Sequence, residues 1–257
     1  MGAHTTWFAI LLPGYANLKS FLQHYLARDW TWALFQTTHF EIDHILGALV
    51  VLAFLVWGAS RYAASVRRAA DGGLVPPPTF GARNFFELLG DTIYGLVEGV
   101  MGPKDAARYL PLIGSLFLFI LFSNLLSLIP GFLPPTDTLK TNLALSGLVF
   151  VMTHVYGVRA HGLKYLKHFL GPYLPLAFLM LPIEIVSHIA RPASLALRLL
   201  GNISADHKVV GVFFGLIPFL VPVPFLVMGV FVSVVQAVVF SLLSTIYIST
   251  AVAHEEH

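Results

Sequence analysis

Cysteine is absent from the 257 residues, and charge is scarce: Asp, Glu, Lys and Arg make up only 11% of the chain. The first absence excludes disulfides, thiol nucleophiles and thiolate metal sites. The second excludes a soluble fold, because water-exposed domains carry about a quarter charged residues. There is no GxxxxGK[ST] phosphate loop and no Ser/His/Asp signature. The eleven histidines are scattered without HExxH-type spacing, so neither a metal nor a cofactor is expected. A formal charge of +2 is too small to attract nucleic acid. A secretory signal is also lacking: His4 is the only candidate basic residue before the first short apolar run, and no small-residue cleavage site follows. The opening MGAHTT fits a loose myristoylation pattern, for which chance is the better account.

What is present is apolar, 57% hydrophobic residues with a mean hydropathy of +0.79. The pattern predicts an all-α integral membrane protein, a single membrane domain over 1–257 with the lipid bilayer as its solvent. Residues 1–40 are mixed and aromatic, an outer-side or interfacial segment. The first crossing is 44–60, followed at once by Arg61, Arg67 and Arg68, which puts that end in the cytoplasm and the N-terminus outside. Beyond the triplet Pro76-Pro77-Pro78, residues 80–102 space apolar residues helically, with Arg83, Glu87, Asp91 and Glu98 between them. This is an amphipathic helix, either interfacial or packed within the bundle. Crossings follow at 109–130 and 142–158, then a basic segment with Arg159, Lys164 and Lys167 on the same side as the first arginines. Residues 173–253 form a long helical hairpin interrupted by Pro218, Pro222 and Pro224. At about 1.5 Å per residue its arms exceed a hydrocarbon core of about 30 Å, so both are tilted. The total is about five crossings plus one amphipathic helix, with the C-terminus in the cytoplasm.

The first arm of the hairpin carries polar residues where lipid-facing residues belong. With Arg198 set at zero and about 100° per residue, Ser187 and Ser194 fall within about 40° on one side. Glu184, Arg191 and Asn202 fall within about 40° on the other, and Asp206 lies near 80°. Charge in a bilayer costs several kcal/mol and usually marks an ion path, a partner charge or a water-filled cavity. Glu184 and Arg191 also fit snorkelling ends or helix glue, and the two serines fit bonds back to helix carbonyls. Arg198, deep in the apolar run, fits none of these. Pro192 removes a backbone hydrogen bond nearby and exposes a carbonyl.

The run RPASLALRLLGNISADH (191–207), the final helix with Gln236 and the ending STIYISTAVAHEEH resemble subunit a of the bacterial rotary F-type ATP synthase. SNLLSLIPG (123–131) and the order of crossings extend the resemblance from about residue 40 onward. It implies a stator subunit of the ATP synthase membrane sector, multi-pass in the cell inner membrane. Its implied partners are a ring of c subunits, the peripheral-stalk b subunits and the remaining synthase subunits. Any ATP chemistry would belong to those partners. Arg198 corresponds to the arginine that faces each ring carboxylate. The resemblance also implies an outer half-channel of Asn202, Asp206, His207 and Gln236, the last facing Arg198. It implies a cytoplasmic half-channel of Glu184, Ser187 and Ser194. Arg191, Asn124 and Asn142 are supporting positions.

One departure stands out. Where the family often has an acid or histidine on the last helix, this chain has Gly229, and it has Asp206-His207 where glycine and a titratable residue are common. Asp206 and His207 are therefore expected to supply the titratable relay from one helix. The rival readings are a secondary transporter or stand-alone channel, against which the lack of internal repeats counts, and a structural scaffold without an ion path.

Overall fold

The computed structural model describes residues 6–26, 42–68, 81–129, 131–162, 165, 177–216 and 222–253. These residues form eight α-helices and one 3-10 turn: α1 Trp7–Leu11, α2 Tyr15–Leu26, α3 Asp43–Arg68, α4 Ala82–Met101, α5 Pro103–Leu126, the turn Pro135–Asp137, α6 Leu139–His161, α7 Ala177–Leu216 and α8 Pro222–Val252. Among the described residues the fold is all-helical, and four stretches are long and apolar enough to cross a membrane, Asp43–Arg68, Pro103–Leu126, Leu139–His161 and Pro224–Val252. The helix α7 falls outside that set because charges interrupt its apolar run.

Helix ends follow local chemistry. α3 opens on Asp43 and closes on Arg67 and Arg68, each charge complementing the helix dipole at its end. It is 26 residues long, so it continues past the 44–60 run by carrying its arginines on a further helical turn. Gly102, at φ 78°, ends α4 and starts α5, with Pro103 in the first-turn position that tolerates a missing N–H. The expected 109–130 crossing begins earlier, at Pro103, and stops at Leu126, beyond which residues 127–129 turn away. α6 extends the expected 142–158 to Leu139–His161 and stops at Gly162, φ 61°.

The core lies along α5, where Tyr109, Ile113, Leu116, Phe117, Ile120 and Leu121 are buried against α4, α8 and α3. Of the two readings of the amphipathic helix, packing within the bundle describes it: Ile93 and Val97 join the core, while Phe85 and Leu88 stay exposed. Arg83 is buried and bonded to Glu87 Oε1 at 2.7 Å, one helical turn away. α6 and α8 enclose α7 from one side.

The N-terminal segment is pinned across the α3 N-terminus and the α5–α6 connection. Thr6 Oγ1 and Tyr15 Oη each donate to the Asp43 carboxylate at 3.0 Å, so this buried acid is satisfied by neutral hydroxyls. The Trp7 amide donates to the Gly131 carbonyl at 3.1 Å, and Phe8 meets Phe132 edge to face. Gly131 holds φ 91°, and a Cβ there would collide with the Trp7 indole, so this position admits glycine on two counts.

A buried polar knot closes the same end. Thr136 Oγ1 donates to Asn124 Oδ1 and Asn142 Nδ2 donates to the Thr136 carbonyl, both at 2.8 Å. All three residues have no exposed surface. Thr136→Val should therefore cost about 1–3 kcal/mol by stranding the Asn124 carbonyl, read as a lower thermal midpoint of the purified subunit. Thr141→Val, at a partly exposed hydroxyl pair, should leave the midpoint within error.

Candidate functional site: the α7–α8 face

α7 is 40 residues long and contains Pro182 and Pro192. At about 1.5 Å per residue it spans about 60 Å, twice a bilayer core. Two contacts fix its register against α8. Asn202 Nδ2 donates to Gln236 Oε1 at 2.6 Å, and the Arg191 guanidinium lies over the Tyr247 ring, 5.6 Å from its centroid. Between these contacts each helix advances by the same number of residues, so the pairing is antiparallel and in step. This sets Phe240, which is buried, at the level of Arg198.

The polar stripe expected on one face is divided in the folded chain. Ser194, Arg198 and Asn202 lie on the exposed side of α7. Glu184, Ser187 and Arg191 are half-buried, turned toward α6 and α8. The reason is axial: these residues share one face of α7, but His154 of α6 and Tyr247 of α8 cover that face at the level of residues 188–191, whereas Ser194, Arg198 and Asn202 stay exposed. Around Arg198 the exposed residues are small, Ala190, Ser194, Gly201 and Ala205, with Leu197 beside them. Among the described residues Arg198 has no hydrogen bond, ion pair or ring partner. Gln236 is buried and bonded to Asn202. The side chains of Asp206 and His207 lie outside those described, as does the tail beyond Ala253.

At the end of the bundle that carries the α5–α6 connection, Ser204 Oγ donates to Asp137 Oδ1 at 2.6 Å, tying α7 to the 3-10 turn two residues beyond Asn202. The expected supporting residues Asn124 and Asn142 meet there in the knot at Thr136. Asn124 Nδ2, Asn142 Oδ1, Ser123 Oγ and Ser241 Oγ are buried without a protein partner among the described residues. At the opposite end, His188 Nε2 lies 3.0 Å from Glu184 Oε1, and the His154 ring stands 5.3 Å from the His188 ring.

Sequence reasoning passed over Asp137, Ser204, His154, His188 and Tyr247. For His188 a signal existed, since it follows Glu184 by one helical turn. For Asp137, His154 and Tyr247 none did, because each reaches α7 only through tertiary packing.

The geometry defines a bundle of membrane-length helices that presents a cation, without a counter-charge among the described residues, on an apolar surface. Comparison with known proteins identifies the class. The family described as ATP synthase A chain matches residues 42–249. ATP synthase subunit a 2 of Syntrophotalea carbinolica is 48% identical over 213 residues, 83% of this chain and 87% of the relative. ATP synthase subunit a of Bdellovibrio bacteriovorus is 43% identical over 88% of this chain and 98% of the relative, and that of Geobacter sulfurreducens is 51% identical over 70% and 77%. The chain belongs to the ATP synthase A chain family, the proton-conducting stator subunit of the synthase membrane sector.

The Asn202–Gln236 bond joins the two arms of the hairpin. A double-mutant cycle with Asn202→Ala and Gln236→Ala should give a coupling of about 0.6–1.7 kcal/mol, the range for hydrogen bonds between membrane helices. It is read from unfolding of the detergent-solubilised subunit.

Proposed function

We propose that the exposed face of α7 around Arg198 is the surface against which a ring of c subunits turns, with proton half-channels reaching it from opposite sides of the membrane. The observation that carries this reading is the Arg198 side chain, exposed among Leu197, Gly201 and Ala205 with no counter-charge among the described residues. An unpaired guanidinium in hydrocarbon is too costly to be decoration, and it stays charged at any physiological pH. A carboxylate arriving from outside this chain would neutralise it. The small residues beside it let a partner helix approach closely, as small-residue faces do between membrane helices.

The chemistry follows. Unit charges about 4 Å apart at an effective dielectric of about 20 interact by about 4 kcal/mol. Arg198 therefore favours the ionised form of a passing ring carboxylate by about a thousandfold and drives its proton off. The same fixed charge repels protons and other cations, so the half-channels do not leak into one another. Ions must travel with the ring, and the ring must turn.

On the outer side the path comprises Asn202 and Gln236 with the Asp137–Ser204 pair. The buried polar atoms of Ser123, Asn124, Asn142 and Ser241 that no protein group satisfies suit a hydrated interior. Asp137 supplies an acid beside α7 that compensates for Gly229, and Asp206 and His207 extend the outer path from the same helix. On the cytoplasmic side the path comprises Glu184, Ser187 and Ser194. α7 is then a fifth crossing, with the N-terminus outside and the C-terminus in the cytoplasm of a bacterial cell, in one membrane domain over 1–257. Peripheral-stalk b subunits and the remaining synthase subunits complete the assembly.

Arg198→Ala should abolish ATP synthesis and ATP-driven proton pumping in membrane vesicles, a loss of about a thousandfold or more by the Coulomb argument, while the complex still assembles. Arg198→Lys should restore little, because ammonium is a point charge that loses its proton readily in apolar surroundings. Assembly with full pumping by Arg198→Ala would refute the reading.

A further inference from the structure

Two histidines that the polar stripe does not include meet between α6, α7 and α8. His188 Nε2 lies 3.0 Å from Glu184 Oε1, and the two side chains differ in access: 13% exposed for His188 and 36% for Glu184. His154 of α6 stands edge-on to His188, ring centroids 5.3 Å apart. His154 Nδ1 is 2.8 Å from the Phe150 carbonyl. A carbonyl oxygen only accepts, so Nδ1 carries the hydrogen and Nε2 of the neutral ring keeps its lone pair. Both rings line a cavity of ≈ 10 Å³ with Ser146, Thr153, Arg191 and Tyr247, room for about one water. The cavity borders Arg191 and Leu195, on the way along α7 toward Arg198.

We propose that His188 is a proton-relay residue, carrying protons between this cavity and Glu184, with His154 as the neighbouring ring that governs its charge. This rests on the cytoplasmic half-channel reading of Glu184 given above. A neutral His188 that donates Nε2–H to the Glu184 carboxylate presents a lone pair at Nδ1. A proton from cavity water binds Nδ1, and the Nε2 proton passes to Glu184 Oε1. Glu184, the more exposed group, releases that proton to bulk water. Exchange of the remaining proton from Nδ1 to Nε2 through water resets the ring. One proton has then crossed, and every group is back in its starting form.

Charge around the pair limits its load. Facing it are Glu184 and Arg191 from α7, Tyr247 from α8 and Tyr165, whose ring lies 5.9 Å from His154. The Arg191 cation beside the rings opposes added positive charge there, and Glu184 is the carboxylate that faces them among the described residues.

The test uses membranes bearing the assembled complex, with passive proton conduction measured after the soluble catalytic sector is stripped, at several cytoplasmic-side pH values. His188→Gln keeps a donor for Glu184 but does not titrate. The expected result is a fall of about tenfold or more, with a limb near neutral pH expected in the wild type and lost in the variant; Glu184→Gln should fall comparably. A normal His188→Gln beside an impaired Glu184→Gln overturns the relay and leaves the half-channel standing. Normal conduction by both variants overturns the half-channel as well. A slower His188→Gln with an unaltered pH profile assigns His188 to positioning Glu184 and likewise overturns the relay. If His188→Gln does not assemble, the profile is read on His154→Gln, which retains His188 and its bond to Glu184. A displaced midpoint supports the proposal, and an unchanged one overturns it.

Discussion

A guanidinium on an apolar helix, without a counter-ion among the described residues, is the constraint on which the rest of the structure depends. By insertion scales it costs about 2.5–3.5 kcal/mol at the centre of a membrane helix, and the bundle bears that cost without offsetting it. The apolar core lies along α5, and the helix–helix contacts of α7 run through Leu195, Ala196, Leu199 and Ile203, all buried. α7 is thus held firmly by one side so that the other stays free. The Asn202–Gln236 bond and the Arg191–Tyr247 contact, above and below, prevent it from rotating to bury its charge.

This arrangement separates two kinds of polar group. Several of those facing inward are partnered: Asp137 with Ser204, Asn124 and Asn142 through Thr136, Glu184 with His188. Arg198, facing outward, has no such partner. On the proposed function, the inward groups line the path of water and protons, and the outward cation faces the molecule that receives it. Both come from one polar stripe, because α6 and α8 cover it near His188 and Arg191 and leave it open at Ser194, Arg198 and Asn202.

Much of the architecture was legible in the chain. Apolar runs bounded by Arg61, Arg67 and Arg68 and by Arg159 located the crossings to within a few turns, whereas the boundaries at Pro103 and Gly162 emerged only in the fold. Arg198 announced itself by cost alone. The division of the stripe was not legible, because assigning a face requires knowing which side α6 and α8 occupy. Nor were the hydroxyls that bury Asp43, or the approach of Asp137 and His154 to α7: those contacts join residues 28 to 67 apart in the chain, or across helices, with no periodicity to betray them. The contacts of Trp7 and Phe8 with Gly131 and Phe132 were equally invisible, as aromatic composition fits many interfacial segments.

The central claim is that the open face of α7 is a sliding surface for a second subunit. Cysteine cross-linking tests it most directly, and the chain's own lack of cysteine removes background from this subunit. Single cysteines at positions 194, 201 and 205, and at 199 and 203, would each be paired with one on the outward face of the c ring in the assembled complex. The account predicts disulfides from 194, 201 and 205 and none from 199 and 203. Cross-links from 199 or 203, or none from the open face, would contradict it.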